Sequence, residues 1–446
     1  MPYENVSGTN LGYYLINHDE NGAERQETIN GAAQFLSDAV MQKLRKDSAT
    51  DIFIMSHGWK GDVPAARDQY ERWIRAMAMN SADLEKMHAK RPGFSPLIIG
   101  LHWPSQPWGD EEFGNAGNVS FGVGVVNAPA PAAAADNLDT LIDRYACRIA
   151  DTPRARAALK TIFDAALVDI APQHLSDEAR RAFATLDAEA AMGSEGAAGA
   201  PGADREPFDA ERSYQLVRTD IASFGGSGSP GILDLLRQLS FWKMKERALH
   251  FGENGARDLL VKIQQAAPDA HVHLMGHSFG CIVVSAMLAG ASAPVRPVSS
   301  LVLMQGALSL WSYCRDIPVA PGKPGYFHSI VDKQRVSGPI VATQSRFDKA
   351  LGKYYPLGAG LAGQIVYEAG ALPRYAAVGT YGIAGMNDPV HGLDMLSAAA
   401  DYEFHPGKIY NLESSAFICD GDGPSGAHSD IAKAETAHVV WEAARG

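Results

Sequence analysis

One short segment of the chain has the residue types of a nucleophilic serine site. It reads Gly276-His277-Ser278-Phe279-Gly280 and fits the pattern G-x-S-x-G. In this pattern the serine lies on a sharp turn between a strand and a helix, called a nucleophile elbow. The two glycines allow strand and helix to approach closely, because neither carries a Cβ atom. The Ser278 hydroxyl is therefore predicted to project above a sheet and to attack an acyl carbon.

Such a serine needs a base and an acid, and two residues later in the chain suit these roles. An alcohol is a poor nucleophile at neutral pH, so an imidazole must accept its proton, and a carboxylate must hold that imidazole in the correct tautomer. Asp348 and His428 complete a catalytic triad in the order serine, acid, base, and each follows a predicted strand. The candidates that this criterion disfavours are Asp394, Asp420 and Asp422 for the acid and His391 and His405 for the base.

Backbone N–H groups are expected to form an oxyanion hole beside Ser278. The Phe279 N–H lies at the start of the predicted helix, where the helix dipole favours negative charge. A second donor is expected from the loop His57-Gly58-Trp59, with Trp59 as the preferred donor and Gly58 as the near alternative. Taken alone, this loop also fits an ordinary glycine-containing connection between a strand and a helix.

Ring side chains near these loops are the candidates for a substrate pocket. They are His57, His277, Trp103 and Trp108. The two tryptophans belong to one loop that also contains two prolines and is therefore stiff and apolar. Such a loop either lines an acyl pocket or packs in the core, and the sequence leaves both possibilities open.

The elements that must position these residues predict an α/β fold with a mostly parallel central sheet flanked by helices. Short apolar runs predict strands at 11–16, 51–56, 96–101, 272–275, 298–305, 338–345 and 408–412, with a weaker pattern at 375–378. Apolar residues at helical spacing predict helices at 32–44, 64–79, 232–265, 281–288 and 431–444. The predicted nucleophile, acid and base thus fall at the carboxyl ends of strands, where open α/β sheets bind ligands.

A long insertion, residues 106–230, separates a sheet strand from the helix that precedes the nucleophile strand. Helical patterns at 132–150, 153–170 and 177–191 predict that this insertion is largely helical. Because it leaves the sheet at the ligand-binding edge, it is predicted to be a cap domain or lid, and a helical insertion without a gating role is the alternative. Residues 1–105 and 231–446 are then predicted to form the α/β core.

Composition and charge exclude several classes of protein. The net charge is −12 and no basic block offsets it, so a nucleic acid would be repelled. No apolar run has the length of about 18 residues that predicts a membrane span. Residues 1–30 lack the basic and apolar regions of a secretion signal, so a cytoplasmic protein is expected. The four cysteines have no metal-binding spacing and are expected to be reduced and mostly buried.

The chain resembles the α/β-hydrolase superfamily, and within it the esterase- and lipase-like branch. Poorly characterised bacterial hydrolase-like domains carry a similar series of four motifs. In this chain the motifs are His57-Gly58-Trp59, Trp103-Pro104-Ser105, His277-Ser278-Phe279-Gly280 and Asp348-Lys349-Ala350-Leu351. The likeness covers about residues 51–105 and 232–430. The insertion at 106–230 departs from the compact pattern of those domains and leaves the size of the substrate open.

The resemblance implies hydrolysis of carboxylic esters through an acyl-enzyme, with Ser278 as nucleophile, His428 as base and Asp348 as the acid that orients the base. It implies a small-molecule or lipid-like ester as substrate and requires neither a metal nor an organic cofactor. A peptidase or acyltransferase with the same triad is an alternative, and so is a catalytically silent binding protein of this fold. The sequence leaves the oligomeric state open.

Overall fold

The chain divides into two compact units in a computed structural model. The described residues are 3–29, 31–47, 49–59, 62–105, 132–223, 231–290, 296–355, 372–421 and 425–446. The first unit comprises Met1–Gln106, Arg247–Tyr355 and Arg374–Gly446, and the second comprises Pro107–Glu246 and Pro356–Pro373. The second unit therefore begins close to the start of the predicted insertion and continues beyond its predicted end at residue 230. A lid role for this unit stays a prediction.

The first unit is built on a nine-stranded sheet. The strands of this sheet, together with a separate hairpin formed by β3 and β4, are β1 (Glu4–Asn5), β2 (Gly12–Asn17), β3 (Glu27–Ile29), β4 (Ala32–Gln34), β5 (Asp51–Ser56), β6 (Pro96–His102), β7 (His271–His277), β8 (Ser300–Met304), β9 (Ile340–Gln344), β10 (His391–Asp394) and β11 (Ile409–Glu413). The order is β1-β2-β6-β5-β7-β8-β9-β11-β10, and only the β1–β2 pair is antiparallel. The prediction of an α/β fold with a mostly parallel sheet is confirmed.

Helices account for most of the remaining regular structure in the described residues. In chain order they are α1 (Leu36–Lys46), α2 (Val63–Met79), α3 (Ser81–Lys90), α4 (Ala132–Ile149), α5 (Pro153–Val168), α6 (Asp177–Glu189), α7 (Ala210–Ser223), α8 (Leu233–Phe251), α9 (Arg257–Ala266), α10 (Gly280–Ala289), α11 (His328–Asp332), α12 (Val378–Tyr381) and α13 (Ala434–Arg445). A π-helical turn, Gly252–Ala256, joins α8 to α9.

The central strands are buried on both faces, which explains their continuous apolar runs. Every residue of β5 is buried, as expected for a strand covered by helices on both sides. Phe53 and Met55 of β5 pack in one apolar cluster with Trp73 of α2 and Trp441 of α13. The ring centroids of Phe53 and Trp441 lie 5.1 Å apart in an edge-to-face arrangement. Helix α10 packs against β5 and β7 and contacts α9, which in turn contacts α1.

The second unit contains the three helices that the insertion predicts. Thr152 and Ser176 cap α5 and α6, since each side-chain oxygen accepts a backbone N–H of the first turn. The buried stripe of α5 includes Ile162 and Phe163, and the ring centroids of Phe163 and Tyr145 lie 5.3 Å apart. The helical character of this region is therefore confirmed.

The structure differs from the predicted elements where the apolar pattern is weak or ambiguous. The helix predicted at 32–44 begins at Leu36, because residues 32–34 pair with β3 instead. The weak strand pattern at 375–378 is wrong, since residues there lead into the short helix α12. The sequence did not predict α3, α7 or the edge strand β10. All four residues of β10 are exposed, so the strand carries no core-facing pattern.

The cysteines and the hydropathy of the helices can also be compared with expectation. All four cysteines are free. Cys281 and Cys314 are buried, but Cys147 and Cys419 are exposed, so the expectation of mostly buried thiols is wrong for two of them. Within the described ranges, no helix combines the length and apolar character that crossing a membrane requires.

Candidate active site

The elbow predicted at Ser278 has a left-handed backbone at the serine. Strand β7 ends at His277, helix α10 begins at Gly280, and Ser278 has φ 55°. A Cβ atom at Gly276 would lie 2.6 Å from Cys281 N, and one at Gly280 would lie 2.7 Å from His57 O. Both contacts are too short for a side chain, so glycine is required on each side of the turn. The serine thus leaves the sheet on a turn that its two neighbouring glycines make possible.

The side chains of Ser278, His428 and Asp348 form a continuous hydrogen-bonded chain. The distance from Ser278 Oγ to His428 Nε2 is 2.8 Å, and the distance from His428 Nδ1 to Asp348 Oδ2 is 2.7 Å. A carboxylate can only accept a hydrogen bond, so Nδ1 carries the proton and Nε2 accepts from the serine hydroxyl. The Asp348 side chain is fully buried, and that of His428 is 12% exposed. The structure therefore brings together the three residues that the sequence predicts as a triad.

Hydrogen bonds between two loops bring Asp348 and His428 within reach of each other. Phe347 O accepts from Ala427 N over 2.9 Å, and Ser425 O accepts from Ala350 N over 3.2 Å. Gly426 lies between the two bonded residues of the second loop and has φ 55°. A Cβ atom there would come within 3.0 Å of a backbone nitrogen of the first loop, so only glycine allows the two loops to pair this closely.

The other acids and bases considered from the sequence lie in different surroundings. His391 and Asp394 are exposed on the edge strand β10, and His405 is exposed as well. The Asp420 carboxylate binds Lys433 Nζ, with the two atoms 2.8 Å apart. Asp422 lies outside the described residues. Among the candidates in the described ranges, only Asp348 and His428 bond in series to Ser278.

The loop predicted to supply a second oxyanion donor lies directly against Ser278. A Cβ atom on Gly58 would be 2.5 Å from Ser278 Cβ and 2.9 Å from His277 O. The Gly58 carbonyl accepts from His57 Nδ1 and from Ser105 Oγ, each over 2.8 Å. These two bonds anchor the loop, so the backbone near Gly58 is held beside the serine. The Trp59 ring lies near that of Phe279, with the two centroids 6.0 Å apart.

Two of the four candidate pocket residues are completely buried beneath this loop. His57 and Trp103 are both 0% exposed and stack with ring centroids 5.6 Å apart. His57 Nε2 accepts from Trp103 N over 3.4 Å, and Trp103 Nε1 donates to His57 O over 3.3 Å. Their polar atoms therefore bind the loop backbone, which favours a supporting role over contact with a substrate. Trp108 lies outside the described residues.

The fourth candidate, His277, connects the elbow to the loop of the base. Its Nε2–H donates to His428 O over 2.9 Å, and its Nδ1 accepts from Gln69 Nε2 over 3.0 Å. Complete burial and the neighbouring His428 lower the pKa of His277 to about 3. The neutral imidazole therefore holds the backbone of the base in place.

Two glutamines at the site were not predicted from the sequence. Gln69 lies on α2 and supports His277, whereas Gln305 follows β8 and donates from Nε2 to Asp348 Oδ2 over 2.9 Å. Gln305 ends the predicted strand 298–305, at the sheet edge where ligands bind, and this was the one available signal for it. Nothing in the helical pattern of 64–79 distinguishes Gln69 from the other polar residues of that helix.

Two clusters of potential metal ligands occur among the described residues, and each already contains a lysine. The buried cluster comprises Asp83, His438 and Glu442, and the more exposed one comprises Cys419, Asp420 and Asp430. Lys86 Nζ lies 3.7 Å from an Asp83 oxygen and 3.8 Å from a Glu442 oxygen. Lys433 Nζ bonds to the Asp420 and Asp430 carboxylates. The ammonium groups supply the positive charge, so neither cluster requires an ion.

Comparison of the chain with protein-family models, curated proteins and solved structures finds no match. A function therefore has to be argued from the side chains that meet around Ser278. Their arrangement provides an activated hydroxyl, a base and a buried carboxylate, which together are suited to acyl transfer.

The close approach of Gly58 to the serine predicts a strong effect of Gly58→Ala. The new methyl group would collide with Ser278 Cβ, so the loop or the serine must move. The rate at which a fluorophosphonate labels Ser278 is expected to fall by about 10²-fold. The control is Gly392→Ala on β10, where a Cβ atom meets nothing within 4 Å. Equal labelling of both variants would mean that the loop does not constrain the serine.

The low pKa of His277 predicts a pH-dependent contribution to stability. Between its folded value of about 3 and its ordinary value of 6.5, only the unfolded chain binds the proton. The free energy of unfolding therefore decreases as pH falls from 6.5 toward 3, with His277 contributing up to about 1.4 kcal/mol per pH unit. His277→Gln keeps an N–H donor for His428 O and should reduce this slope in denaturant unfolding at pH 4 to 7. The exposed His391→Gln is the control, and equal slopes in the two variants would contradict the assignment.

Proposed function

We propose that the protein is a serine hydrolase that cleaves carboxylic esters through an acyl-enzyme, in a fold of the α/β-hydrolase type. The observation that carries the proposal is the hydrogen-bonded chain from Ser278 Oγ to His428 and on to the buried Asp348 carboxylate. A serine hydroxyl bonded to an imidazole that is itself oriented by a carboxylate is the arrangement that activates a nucleophile at neutral pH. The resemblance of the four sequence motifs to esterase- and lipase-like proteins adds to this argument.

The proposed reaction has two halves that use the same base. In the first, Ser278 Oγ attacks the ester carbonyl carbon while His428 Nε2 takes the hydroxyl proton. The tetrahedral intermediate then expels the alcohol, which receives that proton from His428, and an acyl-serine remains. In the second half, His428 removes a proton from water, the resulting hydroxide attacks the acyl carbon, and the acid product leaves as the proton returns to Ser278 Oγ. Asp348 accepts the Nδ1–H bond throughout and stabilises the imidazolium.

The negative oxygen of each tetrahedral intermediate requires donors close to Ser278. The Phe279 N–H at the start of α10 is the first proposed donor, because the positive end of the helix dipole lies there. The second is proposed to be the Trp59 N–H or the Gly58 N–H, since a bonded loop keeps this backbone beside the serine. Both donors belong to backbone that packing holds in place before a substrate arrives.

The topology of the sheet also supports the proposal. Ser278 follows β7, Asp348 follows β9 and His428 follows β11, and these strands are parallel members of one sheet. Side chains after the carboxyl ends of parallel strands meet at one edge, which is the ligand-binding edge of open α/β sheets. The order nucleophile, acid, base along the chain is that of α/β hydrolases. We propose a small-molecule or lipid-like ester as substrate, because this triad needs only a reactive carbonyl and a leaving alcohol.

The first test of this function is Ser278→Ala. The wild type should hydrolyse short p-nitrophenyl esters, and the variant should be slower by about 10³-fold or more, because the nucleophile is absent. A fluorophosphonate should label the wild type and Ser397→Ala, in which an exposed serine is removed, but not Ser278→Ala. Equal ester hydrolysis by wild type and Ser278→Ala would refute the proposal. Labelling at Ser278 without ester hydrolysis would point instead to a peptidase or an acyltransferase.

The second test compares Asp348→Asn with Asp394→Asn. Asparagine at position 348 would present either an N–H or a weaker acceptor to His428, which favours the wrong imidazole tautomer and should slow acylation by about 10² to 10⁴-fold. Asp394 is exposed on β10, so its replacement should leave the rate of p-nitrophenol release unchanged. A normal rate in Asp348→Asn, together with a large loss in Asp394→Asn, would assign the acid to Asp394.

A further inference from the structure

Gln305 is a fully buried residue whose side chain contacts the carboxylate of Asp348. Its Nε2 donates to Asp348 Oδ2 over 2.9 Å. We propose that Gln305 is a positioning residue that holds this carboxylate in the orientation in which Oδ2 accepts the His428 Nδ1 proton. The inference rests on the proposed serine hydrolase function and adds a residue that acts through Asp348 without touching the substrate.

The contacts of the Gln305 amide determine which way it faces. Oε1 accepts from Thr343 Oγ1 over 2.9 Å, while Nε2 donates both to Asp348 Oδ2 and to Gly379 O, the latter over 3.1 Å. A flipped amide would direct its oxygen at a carboxylate and a carbonyl, neither of which can donate. Both N–H bonds of the amide are therefore used, and one of them is committed to the acid.

The backbone at Gln305 has an unusual conformation that aims the side chain at this position. Gln305 has φ 45°, in the left-handed region that costs a residue with a side chain about 1–2 kcal/mol. Its N–H donates to Thr343 Oγ1 over 2.9 Å, so the same threonine binds both the backbone and the amide oxygen. The strain and the double contact with Thr343 fix the amide on β8 next to the strand that precedes Asp348.

The bonds at the Asp348 carboxylate explain why a donor is needed there. Oδ1 accepts from Leu351 N over 2.9 Å, and Oδ2 accepts from both His428 Nδ1 and Gln305 Nε2. The carboxylate is buried, so a lost donor leaves part of its charge without compensation. Without Gln305, the His428 bond would be the one contact among these that holds Oδ2, and the carboxylate could rotate away from the imidazole. The expected consequence is a less well aligned base, with substrate binding unaffected.

The experiment measures how Gln305→Met changes the reaction of Ser278 with a fluorophosphonate. In this step the Ser278 Oγ–P bond forms, the P–F bond breaks, fluoride leaves, and His428 takes the serine proton. The maximal labelling rate should fall by about 10- to 100-fold, while the half-saturating reagent concentration should change by less than about 2-fold. Ester hydrolysis should show the same division, with the loss in kcat and little change in KM.

A matched control and a double-mutant comparison separate positioning from general damage. Gln344 ends the adjacent strand β9, but its Nε2 faces Glu413 Oε2 at 3.4 Å, so Gln344→Met should label at a normal rate. In an Asp348→Ala background, Gln305→Met should cost less than about 2-fold, because the group through which it acts is gone. Thermal unfolding of each variant reports whether it folds. If Gln305→Met does not fold, Gln305→Glu keeps the shape, removes the donor and should show the same loss.

The possible outcomes distinguish this inference from the proposed function. A normal maximal rate in Gln305→Met, a loss confined to the half-saturating concentration, or an equal loss with and without Asp348 would overturn the positioning role. In each of these cases wild-type labelling that disappears in Ser278→Ala would leave the serine hydrolase proposal standing. Wild-type protein that neither labels nor hydrolyses esters would overturn both.

Discussion

The geometry of the site depends on one backbone constraint, the left-handed turn at Ser278 between β7 and α10. A non-glycine residue in this region is strained, and the surrounding hydrogen bonds offset that cost. Ser278 N donates to Met304 O over 3.1 Å, and Ser278 O accepts from Ala307 N over 3.1 Å, so the turn is tied to the end of β8. Because β8 is paired with both β7 and β9, the elbow and the Asp348 loop are built on one continuous piece of sheet. Any distortion of that sheet would move nucleophile and acid together.

A second serine, histidine and aspartate set in this chain illustrates what such residue types mean without the turn. His273 Nδ1 lies 2.9 Å from Ser300 Oγ, and His273 Nε2 lies 3.1 Å from Asp51 Oδ1. Ser300 and Asp51 are the first residues of β8 and β5, so this set lies near the amino ends of the strands. Arg91 forms an ion pair with Asp51, and all three members of the set are almost fully buried. Its bonds satisfy buried polar groups, as packing of a core requires, and no turn lifts the serine out of the sheet.

The site at Ser278 is supported mainly by neutral groups. Gln69 and His277 hold the backbone of His428, Gln305 holds Asp348, and His57 holds the loop that contains Gly58. Burial keeps the imidazoles of His57 and His277 neutral, with the pKa of each lowered to about 3. Neutral supports fix the geometry without adding a charge that would compete with the Asp348 carboxylate for the imidazolium formed in the reaction.

The sequence by itself determined the central strands, the elbow and the residues of the triad. Continuous apolar runs mark strands buried on both faces, and the spacing of Gly276, Ser278 and Gly280 marks a turn that few other residue patterns allow. Only the tertiary structure decided which side chains support the triad, because Gln69 and Gln305 contact residues far away in the chain and carry no local pattern. It also decided that β10 joins the sheet and that residues 32–34 pair as a strand, since exposed edges lack apolar periodicity. Local signals report burial and backbone conformation, whereas the partners of a polar side chain depend on which segments the folded sheet brings together.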